Sequence, residues 1–378
     1  MIYLDNNATT ALAPEVINVM EVCLRENFGN PSSAHIKGTE TKKLVAEARR
    51  SVAEMLGARE PNEIVFTSGG TESDNWAIFG AAESSPTKKH VITTLVEHEA
   101  VRRPCERLEK QGFKVTWLEV GEDGSLNLDQ LGDSLDENTA VVSVMMANNE
   151  TGVIFPVQEI AELVHEKSNA LFHVDGVNAA GKIKIDLKNT EIDLFSVSAH
   201  KFHGPKGIGA LYVRDGCLPS MLIGGGQESG QRAGTEAVHQ IVGIGTAAEF
   251  VKGLAAMEGI RELRDHFENE IINTIPKTYI NGDPNYRLPN TSNISFDGVN
   301  GEMILARLDE IGVCVSTGSA CNSETHTASP VLQAMNIPYN RAMGSIRFSL
   351  CRFNKIEEIE LVLAELPNII SLLREIAG

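Results

Sequence analysis

The stretch "DLFSVSAHKFHGPKG", Asp193 to Gly207, joins an apolar run to a lysine set among histidines. "DLFSVS" reads as a strand buried on both faces, because such strands are near-continuously apolar. Lys201 follows at its end, directly after His200 and two residues before His203. A lysine at that place is either a solvated side chain or an amine tuned by its surroundings. Lys206, in "GPKG", is the rival, but a turn there aims it at solvent.

Between about residues 60 and 215 lie six more runs of this kind: "EIVFTS", "HVITTLV", "KVTWLEV", "AVVSVMMA", "ALFHVD" and "GALYVR". Amphipathic stretches such as "PVQEIAELVHEKS" separate several of them. This alternation predicts an α/β fold with a mainly parallel seven-stranded sheet covered by helices. One long helical stretch, from about Ala237 to Thr274, then changes the character of the chain. "LPNTSNISF", "GEMILARLDEIG", "VCVST", "GSIRFSLC" and the closing "IEEIELVLAELPNIISLLREIA" predict a smaller α+β domain. The expected division is a large domain over 15–255 and a small one over 1–14 and 256–378, with "MIYLDNNATT" joining or bridging to the latter.

The bulk properties exclude several classes. The chain has 378 residues, 42% of them apolar, enough for a sizeable core. Its formal charge of −18 repels phosphate backbones, so nucleic acid is not an expected partner. No apolar run approaches the roughly 18 residues of a membrane span, so no membrane association is expected. The N-terminus has neither the basic start nor the apolar core of an export signal. The six cysteines form no CxxC pair and no zinc spacing, which reads as reduced thiols in the cytoplasm.

In open α/β sheets ligands bind at the carboxyl ends of the strands. Five strand candidates here end in chemistry: "TSGGTES", "EHEA", "NNETG", "DGVN" and "AHKFHGPKG". "TSGGTES", Thr67 to Ser73, reads as a glycine turn opening a helix, whose free N–H groups suit a phosphate; a plain helix cap is the blander reading. It is no Walker loop, and it lacks GxGxxG, which argues against a dinucleotide. His98 is a flat ring able to stack on a planar ligand and carry a proton. Asp175, after "ALFHV", is a buried acid that needs a cationic partner, such as a protonated ring nitrogen, unless it merely caps the next segment. With Lys201 these are the parts that hold pyridoxal phosphate, the lysine forming the Schiff base and the acid keeping the ring protonated. His200 and His203 also suggest metal ligation, but no third ligand stands at a recognisable spacing.

Two features lie further along. "STGSACNSETHTASP", Ser316 to Pro330, is small and polar, so Cys321 reads as the one exposed thiol, and chains avoid exposed thiols unless they use them. Cys314, in "IGVCVST", reads as core. Arg347, in the strand-like "SIRFSL", needs an anion, and a substrate carboxylate suits it.

"YLDNNATT", "FGNPSSAH", "TSGGTESDN", "VEHEAV", "ANNETG", "SAHKFHGPKG", "QRAGTE", "RLPNTSNISF", "STGSACNS" and "IRFSL" together resemble the NifS/IscS-type cysteine desulfurases of the class-V aminotransferase family. The likeness runs in order from residue 3 to about residue 353. It implies the fold of fold-type I pyridoxal-phosphate enzymes and a homodimer acting on L-cysteine. Lys201 matches the Schiff-base lysine, His98 the stacking histidine and Asp175 the partner of the ring nitrogen. Gly70, Thr71, Ser198 and His200 match phosphate and cofactor contacts, and Thr235 a phosphate contact given to the partner subunit's site. Asn149 matches a contact to cofactor and substrate, and Arg347 the substrate-carboxylate arginine. Cys321 matches the nucleophile that takes the sulfur as a persulfide while L-alanine leaves. The implied partner is a sulfur acceptor or iron–sulfur scaffold of NifU/IscU type. No resident metal is implied, though Cys321 could transiently share a cluster with that scaffold.

The chain departs from the family pattern at four places. Asn178 stands where glutamine usually bonds the cofactor's phenolic oxygen, and Gly176 where alanine is usual. Met343 replaces a frequent histidine, and Gln231 an arginine common in nif-type proteins. An aminotransferase on the same fold would need no loop cysteine. A selenocysteine lyase can use the same cofactor, and a weakly catalytic sulfur-relay homologue would keep the fold without the turnover.

Overall fold

The computed structural model describes residues 1–317 and 327–377. Cys321 lies outside the described residues. Every strand expected in the first 215 residues forms. After a short β1 (Ile2–Tyr3) come β2 (Ile64–Thr67), β3 (His90–Thr94), β4 (Lys114–Leu118), β5 (Thr139–Ser143), β6 (Leu171–Asp175), β7 (Leu194–Ser198) and β8 (Gly209–Val213). Strands β2 to β8 form one seven-stranded sheet in the order β2-β8-β7-β6-β5-β3-β4. Strands β3 to β7 pair in parallel, and β8 runs antiparallel to both its neighbours.

The side chains explain the two helical layers. Successive residues of a strand point to opposite faces. Ile64, Phe66, Ile92, Val142, Phe172 and Phe195 face a core closed by α1 (Pro14–Glu26), α2 (Ile36–Leu56), α6 (Val157–Lys167) and α7 (Val238–Val251). Their neighbours Val65, Val91, Val141 and Leu194 face a second core closed by α3 (Gly70–Ser84) and α4 (Glu99–Lys110). Between α4 and α6 a short α5 (Leu128–Ser134) follows β4.

The long helical stretch expected from 237 to 274 is two helices, α7 and α8 (Met257–Thr274). Leu254 sits at φ +55° and Gly253 at φ +86°, and these left-handed residues break the helix where periodicity alone runs on. A separate core follows. Strands β9 (Thr278–Ile280), β10 (Thr291–Phe296) and β12 (Ser345–Ser349) form an antiparallel sheet, and β1 pairs in parallel with β11 (Val313–Cys314). α8, α9 (Gly301–Glu310) and α12 (Ile356–Ala377) pack over them through Phe267, Leu308, Ile359 and Leu366. Two short helices, α10 (Pro330–Ala334) and α11 (Tyr339–Met343), intervene. Val331, Leu332 and Ala342 pack into the first core rather than this one. Cys314 is half-buried, not the core residue its apolar setting predicts.

Candidate active site

Five loops leave the carboxyl ends of β2, β3, β5, β6 and β7, and all five reach one cavity of about 370 Å³. It is lined by Gly70 and Thr71 after β2, His98 after β3, and Asn149 after β5. Asp175 and Asn178 come from β6, and Ser198, His200 and Lys201 from β7. Arg347 of β12 closes the far side. A parallel sheet aligns its strand ends, so residues far apart in the chain meet without any local signal joining them.

At one end, α3 begins where Gly69, at φ +152°, turns the chain out of β2. That conformation is open to glycine alone. Gly70 follows, and a Cβ there would stand 2.7 Å from Cγ2 of Val177. The helix start therefore opens onto the cavity with its first N–H groups, which have no partners within the helix. Glu72 in its first turn pairs with Arg232 at 2.8 and 3.1 Å, tying the "QRAGTE" segment to this end. Thr235 in that segment is exposed and is not among the cavity residues.

At the floor, Asp175 is buried and its Oδ1 accepts the Val177 N–H at 2.9 Å. Burial, then the neighbouring Asp74, pushes its pKa up to about 6. Asp74 is pushed up to about 7 and Glu97 to about 8, both mainly by burial. Glu97 Oε1 accepts from the Thr94 hydroxyl and the Met145 N–H, while Oε2 has no partner among the described residues. A cationic ring nitrogen would supply a counter-charge to such a group of acids.

His98 caps α4, its Nδ1 accepting the Ala100 N–H at 3.1 Å, so the neutral ring carries its proton on Nε2. The ring is exposed in the open cavity; its packed surroundings, and then Lys201, lower its pKa despite the opposing pull of Asp175. The Nζ of Lys201 donates to the backbone oxygen of Asn7. Lys206 is exposed. The two histidines beside Lys201 part company. His200 faces the cavity, with Nδ1 3.2 Å from the Thr9 hydroxyl and its pKa lowered to about 4 by burial and by Lys201. His203 is buried at φ +68°, bonds the Ala11 carbonyl oxygen and packs edge-on to Phe250 and Phe353. It holds the N-terminal segment and does not reach the cavity.

Arg347 is 5% exposed. Its Nη2 donates to Asp5 at 2.7 Å and its Nη1 to the Asn149 oxygen at 3.0 Å, while Nε has no partner among the described residues. Of the four departures, only Asn178 lines the cavity; Met343, Gln231 and Gly176 do not. Gly176 has a physical reason: a Cβ there would lie 1.9 Å from Phe195 Cζ.

Sequence reasoning assigned no site role to Asn7, Asp5, Glu97, Glu150 or Lys182. Asn7 holds Lys201 through its oxygen and reaches Thr291 and Asn149 through its side chain. "YLDNNATT" stood out as a motif, but only the fold shows it running between the two cores. Glu97 and Glu150 sit one residue from singled-out positions, His98 and Asn149, and both are buried.

The residues present fit pyridoxal phosphate. An anion seat, a cluster of buried acids with raised pKa values and a lysine stand around a cavity wide enough for a ring. Residues 2–362 match the family described as aminotransferase class-V. The chain is 50% identical over 380 residues to a protein named cysteine desulfurase from Trichormus azollae, covering all of this chain and 94% of that one. A solved structure titled "NIFS-LIKE PROTEIN" superposes with a TM-score of 0.92 at 39% identity, over 98% of this chain and 100% of the other. Another, titled "SspA in complex with cysteine", superposes at 0.84 and 35% identity, over 94% and 100%. The parallel sheet with its convergent strand ends, the lysine after β7 and a match over nearly the whole length lead to one conclusion: the chain belongs to the class-V aminotransferase family of pyridoxal-phosphate enzymes.

Proposed function

We propose that this chain is a cysteine desulfurase that takes the sulfur of L-cysteine as a persulfide on Cys321 and releases L-alanine. The observation that carries the reading is one cavity holding Lys201, Asp175, His98 and the start of α3 opposite a buried, incompletely partnered Arg347. The bound cofactor supplies an electron-withdrawing ring for the substrate's amino carbon. The chain's residues do the rest. Arg347 holds the α-carboxylate, with Asn149 beside it. Asp175 would hold a proton at the ring nitrogen, and His98 would stack on the ring. Gly70, Thr71, Ser198 and His200 would hold the phosphate end, and Asn178 would serve the ring oxygen. Lys201, with His98, moves protons at the substrate's carbons. The Cys321 thiolate then bonds the substrate sulfur. The carbon–sulfur bond breaks, its electron pair stays on carbon, and that carbon takes a proton to complete alanine.

The reading extends to a cytoplasmic homodimer in which Thr235 reaches the partner's phosphate end. Supporting this, Thr235 is exposed, and Ile223, which precedes that segment in the chain, is 93% exposed, apolar surface that a second copy would cover. The larger body, 15–255, would hold the cofactor, and the smaller, 1–14 and 256–378, would supply Arg347 and Cys321. The persulfide sulfur would pass to an iron–sulfur scaffold of NifU/IscU type for cluster assembly.

The test is a visible spectrum and a sulfide and alanine assay of wild type, Lys201→Ala and Cys321→Ala. The expected result is a yellow wild type, loss of the protein-linked band in Lys201→Ala, and a coloured but inactive Cys321→Ala. Full turnover in Cys321→Ala would remove that thiol from the mechanism. A colourless protein that cannot be reconstituted would defeat the whole reading.

A further inference from the structure

Lys182 lies in the turn that follows β6, four residues beyond Asn178. It is 7% exposed, and among the described residues the charged groups that act on it are the cations Lys201 and Arg347. Its Nζ donates to the Asn178 backbone oxygen at 2.8 Å and to Asn178 Oδ1 at 3.0 Å. A buried amine without an anion is costly and calls for a reason. Burial, then Lys201 and Arg347, holds its pKa well below the usual lysine range. The other groups that feel it are His200 and His203, with Arg352 and Cys351 on the same small cavity between Lys182 and Lys201.

The consequence lies in Asn178. An amide presents either an N–H donor or a carbonyl acceptor, and its two ends are set by its neighbours. Here both neighbours agree. Lys182 holds Oδ1, and the Asn148 carbonyl oxygen accepts from Nδ2 at 3.3 Å. Nδ2 carries a second N–H, and Asn178 lines the cavity. With Oδ1 held by Lys182 and one Nδ2 hydrogen on the Asn148 oxygen, the amide keeps its second N–H to donate. Without Lys182 the shorter side chain would be free to turn over and set an oxygen against the ligand.

We propose that Lys182 is a positioning residue of the cofactor site, fixing the Asn178 amide so that it presents N–H to an anionic oxygen on the cofactor ring. The inference rests on pyridoxal phosphate binding in this cavity. Its test is a double-mutant cycle on the reconstituted holoenzyme, with Lys182→Met, Asn178→Ala and the pair. Two quantities are read: cofactor affinity, and the pH midpoint of the bound cofactor's visible band. Each single variant should lose affinity by about tenfold and raise the midpoint by about one pH unit, as expected for one hydrogen bond to a charged oxygen. The double variant should do no worse than Asn178→Ala. Wild-type affinity and midpoint in Lys182→Met, or additive losses in the pair, would overturn the proposal. Should Lys182→Met not fold, Asn178→Asp answers the same question. It keeps the contact to Lys182 but offers only oxygen, so at least a tenfold loss of affinity is expected, and unchanged affinity would be fatal. If the wild type itself fails to bind pyridoxal phosphate, the desulfurase reading falls, and this one with it.

Discussion

Arg347 shows how much one side chain depends on its surroundings. Its planar fork is shared among Asp5, the Asn149 carbonyl oxygen and the cavity. Asp5 cancels part of the charge, so on the proposed function a substrate carboxylate would meet a guanidinium already oriented and already desolvated. A lysine lacks the planar fork whose separate nitrogens reach Asp5 and the Asn149 oxygen at once, so it cannot hold the same arrangement. Arg347→Lys should therefore raise KM for L-cysteine at least ~10-fold while kcat falls only a few-fold, because the lost contact is made in the ground state as well. Steady-state kinetics over a wide cysteine range checks this; equal losses in kcat with KM unchanged would place the arginine elsewhere. Lys201, His98, Asp175 and Arg347 were all legible as residue types at telling places. Lys182 and Asn7 were not, because a lysine in a turn and an asparagine near the N-terminus ordinarily mean solvent.

At the scale of elements, packing at the strand ends sets the site. β6 and β7 run side by side, and Gly176 at the exit of β6 accommodates the ring of Phe195 in β7. The alanine usual in the family has no room here, since its Cβ would fall inside that ring. Gly176→Ala should destabilise the protein by ~1–3 kcal/mol through overpacking, and a Phe195→Leu background should recover most of that loss. Denaturant unfolding of both variants measures it. Independence of the two substitutions would mean the glycine serves some other end. Asp175 and Asn178 stand on either side of this position, so the same packing sets where these two cavity residues stand. The break between α7 and α8 belongs to this scale too. Both halves carry helical periodicity, and only the left-handed residues at 253 and 254 separate them.

For the whole molecule, the buried acids dictate a pH response. Asp74, Glu97, Glu150 and Asp175 have their pKa values raised to between about 6 and about 8, chiefly by burial. Unfolded, such groups ionise near pH 4. The folded chain thus binds more protons than the unfolded one across that interval. Stability from these acids is fully present below about pH 4 and is lost as pH rises through about 8. In the apoprotein, Glu97→Gln should melt higher than wild type at pH 9 and show a flatter dependence of Tm on pH between 6 and 9. The amide still accepts from the Met145 N–H but cannot ionise. Parallel Tm curves for the two proteins would show that Glu97 does not titrate in this range. Cofactor binding should flatten the wild-type curve as well, because a ring cation at Asp175 favours the ionised acids.

The chain by itself determined the strands, the buried character of all the large sheet's strands but the edge strand β4, and the chemistry at their ends, because apolar continuity and turn residues are local signals. It also carried, through its ordered motifs, the resemblance to a known family. Only the tertiary structure decided which of those ends face one another and what holds them. Asp5 and Asn7 meet Arg347 and Lys201 across more than 190 residues, and neither spacing nor periodicity encodes such contacts. The orientation of the Asn178 amide and the raised pKa values of the buried acids are likewise properties of a packed, low-dielectric interior. They arise from the company the residues keep after folding.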